Sequence, residues 1–224
     1  MITWLGSPLS PQTHAEARAA VVEAFRTEFG REPTLHEAQF VQGVACVETG
    51  GAYDATSYRN AVTGELITGT HNMGAQHCRE EPPCPPTCFE ATDTREDRTQ
   101  YQACFVRYES AAAGFRALVR RVYGGRGGPG VLAAANSGSP SSFAGALKST
   151  GYFALPVDEY ARILSGCLSR IARALGESAP VERGITVRGL LPPLLLIGAG
   201  VALFWGALQA PARRAVDRLS RSTR

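Results

Sequence analysis

The chain has 224 residues, of which 44% are hydrophobic and 19% are charged, and its formal net charge is +3. Domains commonly span about 100 to 200 residues, so this length suits one sizeable domain with an appendage. Arginines outnumber acidic residues from position 181 onward, which leaves the preceding part of the chain slightly negative. That distribution argues against a nucleic-acid partner, because nucleic-acid-binding domains present a positive surface.

The first predicted element is a helix close to the start of the chain. Residues 1–9 lack a basic stretch followed by an apolar one, so the sequence predicts no cleavable signal peptide there. Ser10 as N-cap and Pro11 at the first helical position predict where the helix begins. Up to Gly30 its apolar residues recur at helical spacing, at Ala15, Ala19, Val22, Phe25 and Phe29.

The second predicted helix carries the candidate catalytic residue. Thr34 and Glu37 form a capping box at its start, and the pair Gly50-Gly51 predicts its end. Glu48 lies in the last turn, on the face that it shares with Val41, Val44 and Ala45. A carboxyl group there is partly desolvated and near the negative end of the helix dipole, so its protonated form is favoured. A general acid needs that state, whereas the alternative is a solvent-exposed glutamate.

The middle of the chain is predicted to be irregular. Periodicity fades over residues 53–102, where glycines, prolines and Thr/Asp clusters predict loops. A short hairpin is predicted at 60–70, turning near 63–64. Long irregular segments inside a compact domain commonly carry function, so we expect this lobe to border a cleft beside Glu48.

Helical spacing returns in the second half of the chain. It runs from 110 to 122, until the glycine run 124–130 breaks it. Two more helices are predicted at 141–149 and 156–175, the second with Tyr160 on its apolar flank. The predicted fold class is therefore mainly α.

The cysteines indicate disulfide bonds. An even number of cysteines predicts disulfides and an oxidising compartment, and their pairing cannot be read from spacing. Zinc is the alternative, because His77 adjoins Cys78, but the loop lacks a CxxC pair and needs a fourth ligand from elsewhere. We therefore expect no metal ion and no cofactor. The six cysteines are Cys46, Cys78, Cys84, Cys88, Cys104 and Cys167.

Four stretches resemble, in the same order, motifs of lysozyme-like peptidoglycan hydrolases. E-T-G-G at 48–51 looks like the E-[ST]-G signature that this superfamily, including lytic transglycosylases, places at the end of its catalytic helix. N-M-G-A at 72–75 resembles the N-[LW]-[FW]-G-[IA] stretch of the glucosaminidase branch, which includes flagellar muramidase-type enzymes. F-V-R-Y-E-S at 105–110 with Gly114-Phe115, and T-G-Y-F-A-L-P at 150–156 with Tyr160-Ala161, are similar to two later motifs of that branch.

The resemblance implies a small lysozyme-like fold that cuts the β-1,4 bond of the peptidoglycan glycan strand, with Glu48 as proton donor. The family places a second glutamate in a flexible lobe, and T-C-F-E at 87–90 puts Glu90 there, with Asp93 as the alternative. If neither serves, the N-acetyl group of the substrate can take that role, or an anhydro product can form as in transglycosylases.

The same resemblance implies the residues that line the cleft. Tyr152 matches the tyrosine that holds the sugar beside the acid, and the alternative is a half-buried core tyrosine. Asn72 is expected to hydrogen-bond an N-acetyl or backbone group, and the alternative is a turn asparagine. Gly74 and Tyr108 complete the expected substrate-binding set.

This sequence departs from the motifs in three places. Met73 stands where the family has an aromatic residue, Phe153-Ala154-Leu155 replaces A-T-D, and the cysteine-rich loop is extra. Preference for the glucosaminidase or the muramidase bond is therefore left open.

The C-terminal part predicts a membrane anchor. Residues 189–208 carry no charge and, at about 1.5 Å per residue, are long enough to cross a bilayer. Arginines follow in the tail 209–224, so the tail is predicted to lie in the cytoplasm and the folded domain outside it. The linker is predicted at 176–188. A line of small residues that can pair such helices in a homo-oligomer comprises Gly198, Ala202 and Gly206.

The sequence thus predicts a glycosidase domain at 1–175, anchored by a transmembrane helix in the periplasm or in a virion membrane. Its expected partners are peptidoglycan strands and a lipid bilayer. The absence of a signal peptide together with the tail anchor favours a phage protein used in wall penetration or lysis. The alternatives are a lytic transglycosylase of the bacterial envelope and a lysozyme-like protein that binds peptidoglycan without cutting it.

Overall fold

The computed structural model describes residues 11–51, 53, 58–59, 66–67, 69–78, 88–94, 97 and 99–181. All of them belong to the first of two units into which the chain divides, Met1–Arg183 and Gly184–Arg224. The predicted transmembrane segment 189–208 and the tail 209–224 lie outside the described residues. Within the described part, no helix combines the length and the apolar character needed to span a bilayer.

The described residues are mainly α-helical, as predicted. A π-helical turn, Arg120–Gly124, follows the third helix directly. The α-helices are α1 (Pro11–Phe29), α2 (Leu35–Thr49), α3 (Ala111–Val119), α4 (Gly128–Ser137), α5 (Pro140–Ser149) and α6 (Val157–Leu175).

Helix α2 is the centre of the helical body. It packs against α1, α3, α4 and α6, which is why nearly every one of its side chains is buried. Gly43 lets α6 approach closely, because a Cβ atom there would lie 2.9 Å from side-chain atoms of both Leu164 and Leu168. The element that carries Glu48 is therefore held from several sides.

Both ends of α2 form as the sequence predicts. The Thr34 hydroxyl accepts the Glu37 backbone N–H, and the Glu37 carboxylate accepts the Thr34 N–H, which completes the capping box. At the other end Gly50 has φ +61° and forms a left-handed C-cap. These two caps fix the helix so that Glu48 falls in its last turn.

Two antiparallel hairpins form the irregular lobe. β1 (Tyr58–Arg59) pairs with β2 (Leu66–Ile67), which confirms a hairpin in the predicted region with its strands at slightly different positions. β3 (Phe89–Thr94) pairs with β4 (Gln100–Phe105), Phe89 lying opposite Phe105. This second hairpin corrects the prediction of loops up to residue 102. Its alternating buried residues are few and are separated by polar ones, so the sequence signal was weak.

Helix α4 is a second correction. It begins at Gly128, inside the glycine run that was predicted to break regular structure. Gly128 is needed there, because a Cβ atom would lie 1.9 Å from the Tyr123 carbonyl oxygen. The glycines therefore permit a tight passage from the π-helical turn into α4.

Disulfide bonds hold both parts of the fold. Cys46 on α2 is bonded to Cys167 on α6, and Cys88 is bonded to Cys104 across the β3–β4 hairpin. Cys78 is also disulfide-bonded, and none of the described cysteines is free. The sulfur atoms of Cys78, Cys88 and Cys104 lie within 4.8 Å of one another. Because all three are in disulfides, they offer no thiolates, and the alternative zinc site has no support.

Candidate active site

Glu48 sits half-buried in the last turn of α2, where the helical body meets the lobe. Burial raises the pKa of its carboxyl group from 4.5 to about 7. A hydrogen bond from Tyr160 opposes this shift, and the negative charge of Asp93 adds to it. At neutral pH a large fraction of this side chain is therefore protonated, as a general acid requires.

Tyr160 is the direct partner of Glu48. Its hydroxyl lies 3.4 Å from Glu48 Oε1 and donates a weak hydrogen bond to it. The tyrosine is buried near the start of α6, and burial together with the negative charge of Glu48 raises its own pKa well above 10. The sequence placed Tyr160 on the apolar flank of its helix and, with Ala161, in the last part of the motif that begins at 150. That resemblance was the one signal that linked it to the site.

The two candidate second carboxylates lie on opposite faces of the hairpin. Phe89 and Ala91 are buried, and strand alternation puts Asp93 on their face and the exposed Glu90 on the other. Asp93 also acts electrostatically on Glu48, whereas no such effect involves Glu90. The structure therefore brings together Glu48 and Asp93, the alternative, and does not bring Glu90 to the acid.

Asp93 is held by two donors from neighbouring strands. The Tyr101 hydroxyl donates to Asp93 Oδ2 at 2.9 Å, and His77 Nε2 lies 2.9 Å from the same oxygen. His77 in turn packs edge-on against Phe105, with 4.6 Å between ring centroids. These contacts fix the orientation of the carboxylate. His77, which the zinc alternative used as a ligand, thus contacts Asp93 instead.

Tyr152 lies close to Tyr160, the partner of Glu48. It is half-buried, and its hydroxyl donates to the Gly74 carbonyl oxygen at 3.2 Å. It also acts electrostatically on Tyr160. Arg121 of the π-helical turn lies over its ring, 5.8 Å from the centroid. A Cβ atom at Gly74 would lie 2.9 Å from the Tyr152 hydroxyl, so this glycine makes room for the tyrosine.

Asn72 and Tyr108 shape the loop 70–77. Asn72 is fully buried and donates to the carbonyl oxygens of Gln76 and Val106, while its own oxygen accepts the Gln76 N–H. The Tyr108 hydroxyl donates to the Gln76 side chain at 2.8 Å. Of the two expectations for Asn72, the structure matches the backbone contact, since a buried side chain has no open surface for a sugar.

Comparisons with known proteins give structural similarities at low sequence identity. No protein-family model and no curated protein matches the chain. The crystal structure of a peptidoglycan hydrolase from Sphingomonas sp. A1 is similar with a TM-score of 0.46 and 20% identity, over 80% of this chain and 94% of that one. A C-terminally truncated glycoside hydrolase domain of FlgJ from Salmonella typhimurium has a TM-score of 0.48 and 18% identity, over 76% and 100%.

The first is described as a peptidoglycan hydrolase and the second as a glycoside hydrolase domain. What this chain can do is argued from its own residues around Glu48.

Proposed function

We propose that this chain is a glycosidase that cleaves the β-1,4-linked glycan strand of peptidoglycan, with Glu48 as general acid. The observation that carries the proposal is the Glu48 carboxyl group itself, whose pKa is raised to about 7 by burial at the end of a fixed helix. Glycoside cleavage needs such a proton donor beside the leaving oxygen. The ordered motifs at 48–51, 72–75, 105–110 and 150–156 support peptidoglycan as the substrate.

We further propose Asp93, in place of Glu90, as the second carboxylate. Cleavage builds positive charge on the sugar ring, and a nearby carboxylate stabilises it or activates a water molecule. Asp93 is on the inner face of its hairpin and interacts with Glu48, while Glu90 is exposed on the outer face. Tyr152 borders the same space and offers an aromatic surface for the sugar.

The first experiment measures release of fragments from purified sacculi by Glu48→Gln and Asp93→Asn. We expect Glu48→Gln to lose about 10²-fold to 10⁴-fold in rate, the range for removal of a general acid. Glu90→Gln is the matched control on the same strand and should retain the wild-type rate. A Glu48→Gln variant that still digested sacculi would refute the proposal. Wild-type protein that bound sacculi without releasing fragments would favour a non-catalytic binding protein.

Mass spectrometry of the fragments then distinguishes the reactions. A reducing N-acetylglucosamine end indicates a glucosaminidase, and a reducing N-acetylmuramic acid end indicates a muramidase. An anhydro end indicates a lytic transglycosylase, in which no water attacks the sugar. We propose hydrolysis, because a fixed carboxylate at Asp93 can activate water.

We also propose that residues 189–208 anchor the protein in a membrane, with its folded domain outside the cytoplasm or on a virion. The support is twenty consecutive uncharged residues followed by five arginines. Full-length protein should stay in the membrane pellet after carbonate extraction, and an arginine at Leu196 should release it. Release of the unsubstituted chain would contradict the anchor. Detection in purified phage particles would support the virion assignment.

A further inference from the structure

The chain contains a single lysine, Lys148, among 23 basic residues. It lies half-buried in the last turn of α5. Its ammonium group donates to the carbonyl oxygens of Phe153 and Ala154, at 3.0 and 2.9 Å. It also lies 5.5 Å from the centroid of the Phe153 ring. The lysine is therefore attached to the middle of the loop that joins α5 to α6.

A lysine suits this position better than an arginine. An ammonium group is a compact charge with three donors that can converge on neighbouring carbonyl oxygens, whereas a guanidinium group is a flat fork. The loop also turns sharply, because Gly151 has φ +79°. All the other lysine-or-arginine positions of the chain are arginines. The one lysine thus stands where two adjacent carbonyl oxygens must be held together.

The residue that Lys148 holds is the direct neighbour of Tyr160. The rings of Phe153 and Tyr160 are stacked with 3.8 Å between centroids and an angle of 3° between planes. Phe153 is half-buried and Tyr160 is almost completely buried, so Phe153 covers the face of the tyrosine. On its other side the Tyr160 hydroxyl reaches Glu48. A continuous set of contacts therefore runs from Lys148 to the acid.

We infer that Lys148 and Phe153 are positioning residues, which hold the Tyr160 hydroxyl on Glu48 and so set the pH range of the reaction. The inference rests on the proposed role of Glu48 as general acid, and it adds two residues that control when Glu48 is protonated. Phe153 stands where the resembled motif has alanine, so the stack is a feature of this chain.

Other charged groups also act on this site. Asp93 on β3 raises the pKa of Glu48, and Tyr152 acts on Tyr160 from the same loop as Phe153. Asp93 is in turn bound by His77 and Tyr101. The described contacts of Lys148 are with Phe153 and Ala154, so the route by which a change at Lys148 is proposed to reach Glu48 is the loop.

The alternative role of Lys148 is a simple cap, since basic residues are favoured in the last turn of a helix. Such a cap would change stability and leave the pH behaviour of Glu48 untouched. The pKa of Glu48, followed by carbon-13 NMR of its labelled carboxyl group in the full chain, separates the two roles. This readout does not depend on activity.

Three variants should move that pKa in the same direction. Tyr160→Phe removes a donor to the charged form, and we expect the pKa of Glu48 to rise by about half a unit. Phe153→Ala removes the ring that holds Tyr160 in place, so it should weaken the same hydrogen bond and give a rise of at most that size. Lys148→Met releases the loop and should give a smaller rise. Phe153→Tyr keeps the stack and should restore the wild-type value.

Arg162→Met is the matched control, because it removes an exposed cation from α6 outside the loop. It should leave the pKa of Glu48 and the basic limb of the activity profile in place. The inference is overturned if Lys148→Met and Phe153→Ala are folded and their Glu48 titration matches that of the wild type. An active Glu48→Gln variant would instead refute the proposed function, while the titrations still test the contacts.

Discussion

The helical body and the β3–β4 hairpin are stabilised by different means. In the body, α2 is surrounded by helices, and residues such as Phe40 and Val44 have no exposed surface. In the hairpin, the buried apolar cluster among the described residues consists of Phe89, Ala91, Ala103 and Phe105. Two of these four are alanines, so little apolar surface is buried, and small cores of this kind depend on disulfides.

This difference is matched by a division of roles in the site. The body supplies Glu48 and Tyr160 from helices that are capped, packed and cross-linked. The hairpin supplies Asp93, whose direction depends on strand register and on two hydrogen-bonding partners. The proposed acid therefore lies in the more stable region, and the proposed second carboxylate lies in the less stable one.

The two described disulfides should make unequal contributions to stability, which is the largest effect that we expect. Removing Cys46–Cys167 with serines frees a loop of 121 residues, for which chain entropy gives about 4 to 5 kcal/mol. Removing Cys88–Cys104 frees 16 residues and gives about 3 kcal/mol. Denaturant unfolding of the two double variants measures the difference.

The two disulfide variants should rank in the opposite order by their loss of activity. The Cys88→Ser/Cys104→Ser variant should keep a folded body yet lose about tenfold or more in rate, because Asp93 is misplaced. Hydrogen exchange should then show faster exchange in β3 and β4 and little change in α2. If the hairpin variant unfolded as a whole while the α2–α6 variant kept its stability, the comparison would be wrong.

Asn72 joins the loop 70–77 to the end of the β3–β4 hairpin, because it binds Gln76 in that loop and Val106 just after β4. Asn72→Ala leaves buried backbone groups without their partner, which should cost about 2 to 3 kcal/mol in free energy of unfolding. Asn136→Ala is the matched control in the body, where an exposed asparagine donates to Glu37. We expect it to cost about 1 kcal/mol at most. Equal losses in free energy of unfolding would mean that the burial of Asn72 adds nothing to its contribution to stability.

The contrast between the helical body and the β3–β4 hairpin also explains what the sequence could predict. The position of Glu48 follows from local signals, the capping box at Thr34 and Glu37 and the glycine stop. The helix and the place of Glu48 in its last turn were therefore predicted correctly, while its role as the acid stays a prediction. Whether Glu90 or Asp93 lies on the inner face of the hairpin depends on the register of β3 against β4. A shift of one residue would move every side chain of the strand to the other face. That register is set by distant residues and a disulfide, which no local pattern reports.

Tyr160 shows a further limit. Its spacing on α6 is that of a core residue, and it is indeed buried. Its role comes from the polar end of the ring, which meets Glu48 from another helix, and hydrophobic periodicity describes only the ring. Sequence patterns therefore predicted the helices of the body except α4 and left the contacts between them open.

The ionised carboxylate of Glu48 should destabilise the helical body at high pH. Because folding raises the pKa of Glu48 from 4.5 to about 7, the folded state binds a proton that the unfolded state releases between these values. Stability from this group is present below about pH 4.5 and is lost as the pH rises through about 7. Since the side chain is half-buried, we discount the full shift and expect Glu48→Gln to be about 1 to 2 kcal/mol more stable at pH 8.

Thermal unfolding at pH 4.5 and pH 8 measures this gain. The two proteins should be nearly equal at the lower pH, because Glu48 is protonated in the folded state and still about half protonated in the unfolded state. Glu90→Gln on the exposed face of the hairpin should show no such pH dependence. A Glu48→Gln variant that was less stable at pH 8 would show that the carboxylate is stabilised in place, and would contradict the raised pKa.

The smallest effect concerns the surface of the body, where Glu28 binds Arg116 and Arg120 of the segment that follows the lobe. Hydrogen bonds from these arginines lower the pKa of Glu28 from 4.5 to about 2. The ion pair therefore adds stability above about pH 4.5, which is lost as the pH falls through about 2. Both arginines are about half exposed, so solvent screening reduces the benefit, and Glu28→Gln should cost about 1 kcal/mol at neutral pH.

The cost should disappear near pH 2 and shrink in high salt, while Glu109→Gln, an exposed control, should change little at any pH. A cost that persisted at pH 2 would mean that Glu28 acts through packing and not through its charge.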